Sequence, residues 1–288
     1  MAQALPTFNL IGAGRVGQTL AHLWTRHAVL QVQDVLTRSP ASAQAALDFI
    51  APAASSGRAL AHSADMRAAD IWMLAVPDAQ IAACAQDLAR HARQRGDAPA
   101  LAFHCSGALS AELLMPLRDM GWSVASAHPV LSFASAQTAV AQFAGTPCAL
   151  EGDAAACDTL HPLFTAMGGA CFGVRSQDKV LYHAAAVLGT NFAPVLQALA
   201  EDAWRASGMP DALVLRLRAR LLRNAVDNIV ALGPQKALTG PAARGDHAAI
   251  ARQAEVVAAW DPQAAAAYRA LSDLALRMAG HATEPPQA

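Results

Sequence analysis

The chain of 288 residues reads as an α/β protein, a doubly wound and mostly parallel Rossmann sheet followed by an all-helical C-terminal domain. Three observations predict this. A glycine fingerprint, Gly12-Ala13-Gly14-Arg15-Val16-Gly17, lies between an apolar stretch (Phe8 to Ile11) and a helix-like run. Apolar runs alternate with helical patterns as far as residue 174, the sign of right-handed βαβ units. Beyond that point only long helical patterns follow. The expected domains are therefore residues 1–174, binding a dinucleotide, and 175–288, serving substrate binding and dimerisation.

Taken in order, Phe8 to Ile11 is the first strand and the fingerprint its turn into a helix. In such a turn the first glycine permits the tight bend, the second lets the backbone approach a pyrophosphate, and the third lets helix pack on strand. The diphosphate then meets the N–H groups of a helix N-terminus. Val29 to Leu36 reads as the second strand, and it ends in Thr37, Arg38 and Ser39 with no carboxylate there. An Asp or Glu at that end accepts from a ribose 2′-hydroxyl, whereas an arginine accommodates a 2′-phosphate through its planar fork. The expected coenzyme is thus NADP(H), with NAD(H) possible. The competing residue is Asp34, which falls inside the strand; Ser39 could equally cap a helix begun by Pro40.

Ile71 to Val76 is an unbroken apolar run closed by Pro77-Asp78, which predicts a central strand buried on both faces. Leu101 to Phe103 leads into His104-Cys105-Ser106-Gly107, and Trp122 to Ala127 leads into His128-Pro129. Pro147 to Leu150 and Ala170 to Val174 are shorter strands around a helical stretch, Ala155 to Met167. Ser176 is placed to start a helix reaching about Ala206, and Asp211 to Leu232 makes a second, closed by Gly233-Pro234. Asp246 can cap a third, and Asp261-Pro262 opens a fourth to about His281, with the tail from Ala282 expected to be disordered.

Composition bounds the function. Hydrophobic residues make up 54% and charged residues 15%, with a net charge of −1 and a pI of about 6.8. That balance argues against nucleic acid or an anionic membrane as partner, since either favours a basic face. The stretch Val180 to Ala200 carries no charge and is long enough to span a bilayer. Its Tyr182, His183, Thr190, Asn191, Pro194 and Gln197 make it a helix buried in a bundle instead. Five scattered cysteines read as buried thiols in a reducing compartment, and no leader-like segment precedes the first strand, so the cytoplasm is the expected location.

Ligands of open α/β sheets bind outside the carboxyl ends of the strands. That rule selects Val76, Pro77 and Asp78, His104 to Gly107, and His128. Lys179 and His183 are four residues apart and share one helical face, and Asn191 lies about 12 Å further along it. No histidine or cysteine spacing suits a metal, so none is expected.

These features together resemble the 6-phosphogluconate-dehydrogenase-like superfamily, in which a Rossmann domain precedes a helical domain that usually makes the dimer and completes the active site. His104-Cys105-Ser106-Gly107, His128-Pro129, Tyr182 to Ala186 with Asn191, and Leu238-Thr239-Gly240-Pro241 leading to Arg244-Gly245-Asp246 look like a bacterial family pairing a Rossmann-like domain with a C-terminal domain of unknown function. Relatives include pyrroline-5-carboxylate reductases and prephenate dehydrogenases. Hydroxyacid dehydrogenases of the superfamily carry an asparagine four residues after a lysine; here His183 takes that place.

The resemblance implies an NADP(H)-dependent oxidoreductase, a homodimer acting on a small carboxylate-bearing carbonyl, imine or hydroxy compound. Gly12, Gly14, Arg15, Val16 and Gly17 would seat the pyrophosphate, Thr37, Arg38 and Ser39 the 2′-phosphate, and Val76 and Pro77 the nicotinamide ribose. Lys179 or His183 would move the proton, Asn191 orient the substrate, Ser106 and His128 line its site, and Arg244 clamp its carboxylate. The alternatives are a sensor that binds NADP(H) without turnover and an imine reductase of the pyrroline-carboxylate type.

Overall fold

The computed structural model describes residues 4–51 and 57–281. Eight strands, β1 (Thr7–Ile11), β2 (Gln31–Leu36), β3 (Arg58–Leu60), β4 (Ile71–Leu74), β5 (Leu101–His104), β6 (Ser123–Pro129), β7 (Pro147–Gly152) and β8 (Ala170–Gly173), form one sheet. Their order is β3-β2-β1-β4-β5-β6-β7-β8. All neighbours run parallel except β6 and β7, where Ala125 to Pro129 pair antiparallel with Gly152 to Cys148.

The helices of the sheet region are α1 (Arg15–Arg26), α2 (Pro40–Ile50), α3 (Asp78–Arg95), α4 (Met115–Arg118), α5 (Ala136–Gln142) and α6 (Ala154–Ala166). After a 3₁₀ turn at Ser176–Asp178 come α7 (Lys179–Ala186), a π turn at Val187–Asn191, α8 (Phe192–Ala206), α9 (Asp211–Leu232), α10 (Pro234–Ala237), α11 (His247–Trp260) and α12 (Pro262–Met278). The chain divides into two compact units between Thr190 and Asn191. The first unit thus takes in α7, past the boundary at residue 174 that the sequence suggests.

Four differences from the sequence reading have local causes. β2 starts at Gln31 because Ala28 turns through a φ of +52° and Val29 donates back to the Trp24 carbonyl, so Val29 and Leu30 belong to the bend. β3 is three residues long, too short to leave a periodic pattern. The expected helix from Ser176 to Ala206 is interrupted by the π turn, since Pro194 has no N–H to bond the carbonyl four residues back. α12 stops at Met278, with Gly280 at a φ of +79° just past its end. The expected disordered tail lies outside the described residues.

The core on one face of the sheet centres on Trp24, whose ring meets Phe8, Phe103 and Phe164 edge-on at 5.4, 6.1 and 5.4 Å. Its indole N–H donates to the Leu163 carbonyl, so the one polar atom of that cluster is satisfied. On the other face Trp72 packs against Trp122 at 5.9 Å. Of the five cysteines only Cys148 is buried; the others are half-buried, and all are free thiols.

Asp34 sits within β2, fully buried. Arg58 Nε and Nη2 donate to its two oxygens at 3.0 and 2.8 Å, and Arg67 adds its backbone N–H at 2.7 Å and Nη2 at 2.6 Å. Burial would raise this carboxyl, but the hydrogen bonds from Arg58 and Arg67 outweigh it and hold the group below the usual carboxylate range. A carboxylate so enclosed is not presented to a ribose. Since the folded pKa lies below the unfolded one, the stability Asp34 contributes is full above about pH 4 and is lost as the pH falls through the folded value. Asp34→Asn should lower unfolding free energy by about 2 kcal/mol at neutral pH, with the deficit shrinking in acid. Urea melts at several pH values check this; a deficit that does not change with pH would contradict it.

Candidate active site

Two of the fingerprint glycines, Gly12 and Gly17, occupy positions where only glycine fits. Gly12 has a φ of +85°, and a Cβ there would lie 2.7 Å from the Ala75 carbonyl oxygen and 2.7 Å from Val76 Cγ1. Its N–H donates to the Leu36 carbonyl, which ties the turn to the end of β2. A Cβ on Gly17 would lie 2.7 Å from the Gly12 carbonyl, so α1 packs directly on the turn. Gly14 is the N-cap of α1 and has open space around it, and the first turn of α1 carries no acidic residue. These are the demands of a backbone cradle for a diphosphate at a positive helix end. Val76 thus abuts the turn, with Pro77 next to it as the N-cap of α3, while Arg15 reaches back to the Phe133 carbonyl and Val16 packs against the core.

At the end of β2, Ser39 caps α2 by accepting from the Ser42 N–H, and Thr37 Oγ1 donates to the Ser39 carbonyl. The side chain of Arg38 is exposed. The capping role open to Ser39 is therefore real.

A second group of residues forms where β5, β6 and α7 meet. Lys179, at the start of α7, is 1% exposed. Its Nζ donates to Ser126 Oγ at 2.7 Å and to the Ser106 carbonyl at 3.2 Å, and Ser126 Oγ itself donates to that carbonyl. Burial lowers the lysine pKa, against the opposing pull of Glu151 and Asp78. Burying an ammonium costs several kcal/mol, which two hydrogen bonds worth about 1.5–3 kcal/mol each offset only in part. Lys179 is thus a built feature of the site rather than a solvated charge at a helix start.

Ser106 Oγ donates to Asp78 Oδ2 at 2.9 Å and accepts from the N–H groups of Ala108 and Leu109, closing a turn. His104 is fully buried. Its Nδ1 accepts from the Ser106 N–H and its Nε2 faces the Ser110 carbonyl, so it is a satisfied neutral core histidine whose pKa burial lowers. Glu151 is buried at the end of β7, accepting from the Ala111 N–H and from Ser176 Oγ just before α7.

Above this base stand His128, Tyr182 and His183. His128 Nδ1 and the Tyr182 hydroxyl are 2.9 Å apart, and the His128 and His183 rings meet edge-to-face at 5.5 Å. Burial, with the neighbouring His183 and Lys179, pushes the His128 pKa down to about 4. His183 Nδ1 is buried without a hydrogen-bond partner among the described residues. Both rings press on Gly107: a Cβ there would fall within contact of His183 Nδ1 and lie 2.9 Å from His128 Nε2.

Of the residues selected from sequence, Asp78, His104, Ser106, His128, Lys179 and His183 are brought together here. Asn191 closes the π turn at the first residue of the second unit, and Arg244 lies in a 3₁₀ turn, Ala242–Arg244, within that unit. Ser126, Tyr182 and Glu151 complete the network without having been assigned roles. Ser126 was detectable, because it stands two residues before His128 on a strand and so shares its face. Tyr182 stands three residues after Lys179 on the same helix.

Two measurements follow from this geometry. Gly107→Ala should cost about 1–3 kcal/mol by overpacking and shift the His128 and His183 imidazole resonances; unchanged resonances would show that the rings do not abut. In an NMR titration His128 should stay neutral until about pH 4, whereas an ordinary histidine charges near 6.5. A midpoint near 6.5 would contradict the burial described.

A Rossmann-like domain family matches residues 2–129, and a family described as a domain of unknown function (DUF2520) matches residues 146–275. None of the curated proteins matches the chain. Among solved structures, a candidate NADP oxidoreductase from Bacteroides fragilis is 22% identical with a TM-score of 0.74, over 95% of this chain and 98% of that one. An imine reductase from Myxococcus stipitatus, in complex with NADP+, is 20% identical with a TM-score of 0.60, over 94% and 92%. A pyrroline carboxylate reductase from Plasmodium falciparum, with NADP bound, is 12% identical with a TM-score of 0.56, over 95% and 98%. At such identities the likeness is one of fold. The chain is thus a member of the architecture in which a Rossmann-like domain is followed by the domain of unknown function DUF2520.

Proposed function

We propose that the protein is an NADP(H)-dependent oxidoreductase acting on a small carbonyl, imine or hydroxy compound that bears a carboxylate. The observation that carries this reading is the glycine turn, where Gly12 and Gly17 leave no room for a side chain and the backbone of Gly14 opens α1. Enclosure of Asp34 by Arg58 and Arg67, together with the exposed Arg38, supports the phosphorylated coenzyme over NAD(H). The Bacteroides protein is named as an NADP oxidoreductase, and the Myxococcus and Plasmodium reductases are described with NADP bound.

In this reading Gly12, Gly14, Arg15, Val16 and Gly17 hold the diphosphate, Thr37, Arg38 and Ser39 the 2′-phosphate, and Val76 and Pro77 border the ribose of the nicotinamide. The nicotinamide, when bound, supplies or removes a hydride. The protein must then give or take one proton at the substrate heteroatom. His183 is the group we assign to that task, because its Nδ1 is buried and unpartnered. Lys179 holds α7 against β5 and β6 and places its amine beside the reacting group. A cytoplasmic homodimer formed through the helical unit completes the proposal, supported by apolar residues such as Leu213, Leu221, Ile229 and Val230 that α9 exposes. Among the described residues no helix is long and apolar enough to cross a membrane.

Titration of the purified protein with NADPH and NADH tests the coenzyme. NADPH should bind more tightly, and Arg38→Ala should weaken it by about 10- to 150-fold while leaving NADH unchanged, the loss of one charge-assisted contact. Equal affinities in the parent protein would remove the phosphate clamp. For the reaction, a panel of 2-oxo acids and cyclic imines is screened by coenzyme absorbance. If Lys179→Ala and His183→Ala each keep full turnover on the substrate found, the catalytic assignment fails.

A further inference from the structure

Tyr182 is half-buried, with Phe172 edge-on at 6.1 Å and the His128 ring edge-on at 5.7 Å. Its hydroxyl has one hydrogen-bond partner among the described residues, His128 Nδ1 at 2.9 Å. That bond can be written two ways. If His128 Nδ1–H donated, the phenolic proton would be left without an acceptor among the described residues. If the phenol donates, its proton has an acceptor and Nδ1 is satisfied, with the stronger acid giving and the stronger base receiving. His128 then carries its only proton on Nε2, the nitrogen that lies beside Gly107 and toward His183.

We propose that Tyr182 is a positioning residue that donates its hydroxyl to His128 Nδ1 and so fixes His128 as the Nε2–H tautomer, a permanent hydrogen-bond donor at the mouth of the site. The groups facing His128 agree with a neutral ring. His183 and Lys179 disfavour a further positive charge there, burial acts in the same direction, and only Asp78 opposes them. The phenol keeps its proton as well, burial pushing Tyr182 up to about 12.

A neutral N–H donor discriminates among substrates, and this part of the inference rests on the reductase reading. It can bond the lone pair of a carbonyl oxygen, or of the alcohol that oxygen becomes. An iminium ion offers no lone pair to such a donor and would place a positive charge among buried groups. The site therefore suits a carbonyl and alcohol pair rather than a cyclic iminium.

The tautomer is read directly from long-range proton–nitrogen NMR correlations on protein labelled with ¹⁵N-histidine, the His128 signals being assigned by their loss in His128→Gln. At neutral pH the parent protein should show Nε2 protonated and Nδ1 bare, and Tyr182→Phe, which keeps both ring contacts, should populate the Nδ1–H form. A parent spectrum with Nδ1 protonated, or a variant with the tautomer unchanged, overturns the proposal. Should Tyr182→Phe not fold, fluorinated tyrosine serves instead. It acidifies the hydroxyl of Tyr182, one of only two tyrosines, and should displace the His128 Nδ1 resonance; no displacement overturns the proposal equally. Loss of coenzyme binding would defeat the reductase reading and leave the tautomer as it is, whereas turnover of cyclic imines alone would defeat the carbonyl assignment.

Discussion

The buried amine of Lys179 is the constraint from which the candidate site follows. It bonds a main-chain carbonyl after β5 and a hydroxyl on β6, so the first turn of α7 is fastened across the carboxyl ends of two adjacent strands. Once that turn is fixed, helical spacing leaves little choice: residues three and four positions on must lie over the same strand ends. Tyr182 and His183 therefore meet His128, and the absence of a side chain at Gly107 lets the rings close up. Besides the amine, α7 is joined to β6 by the Tyr182 hydroxyl bond to His128 and by the ring contacts of Tyr182 and His183 with His128.

The nucleotide half of the molecule rests on a different device, the near-contact of backbone with backbone at Gly12 and Gly17. The two halves share one rim of the sheet, since β1 and β4 carry the glycine turn and Val76 while β5 and β6 carry Ser106 and His128. That adjacency is what the parallel order β2-β1-β4-β5-β6 produces, and it holds independently of which substrate is bound. Asp34 shows the same economy on the neighbouring strand: it stabilises β2, β3 and the segment before β4 through two arginines, and is thereby withheld from the ligand.

Most of the fold was legible because its signals are local. The glycine turn, the apolar run before Pro77, the His-Pro at the end of β6 and the Asp-capped starts of α11 and α12 each depend on a few adjacent residues. What escaped detection depends on partners distant in sequence or on very short segments. β3 has three residues, and the π turn answers to a proline several positions later. The burial of Lys179 could not be read from the helix that bears it, since the groups that enclose it lie 53 and 73 residues away. Glu151 was missed for the same reason: an isolated carboxylate in an apolar strand announces only that some partner exists, and its partners are an amide 40 residues before it and a hydroxyl 25 residues after it.

The reversal of direction between β6 and β7 has a consequence of its own. It points Glu151 inward, where it clasps the segment that leads into β6 and the segment that leads into α7. The Lys179 network is thereby coupled to β7, the second strand from one margin of the sheet, as the glycine turn is coupled through Leu36 to β2, the second from the other. Sheet margins open more readily than interiors. The glycine turn and the Lys179 network thus answer to opposite margins of one sheet, and fraying at either edge would disturb one of them while leaving the other in place.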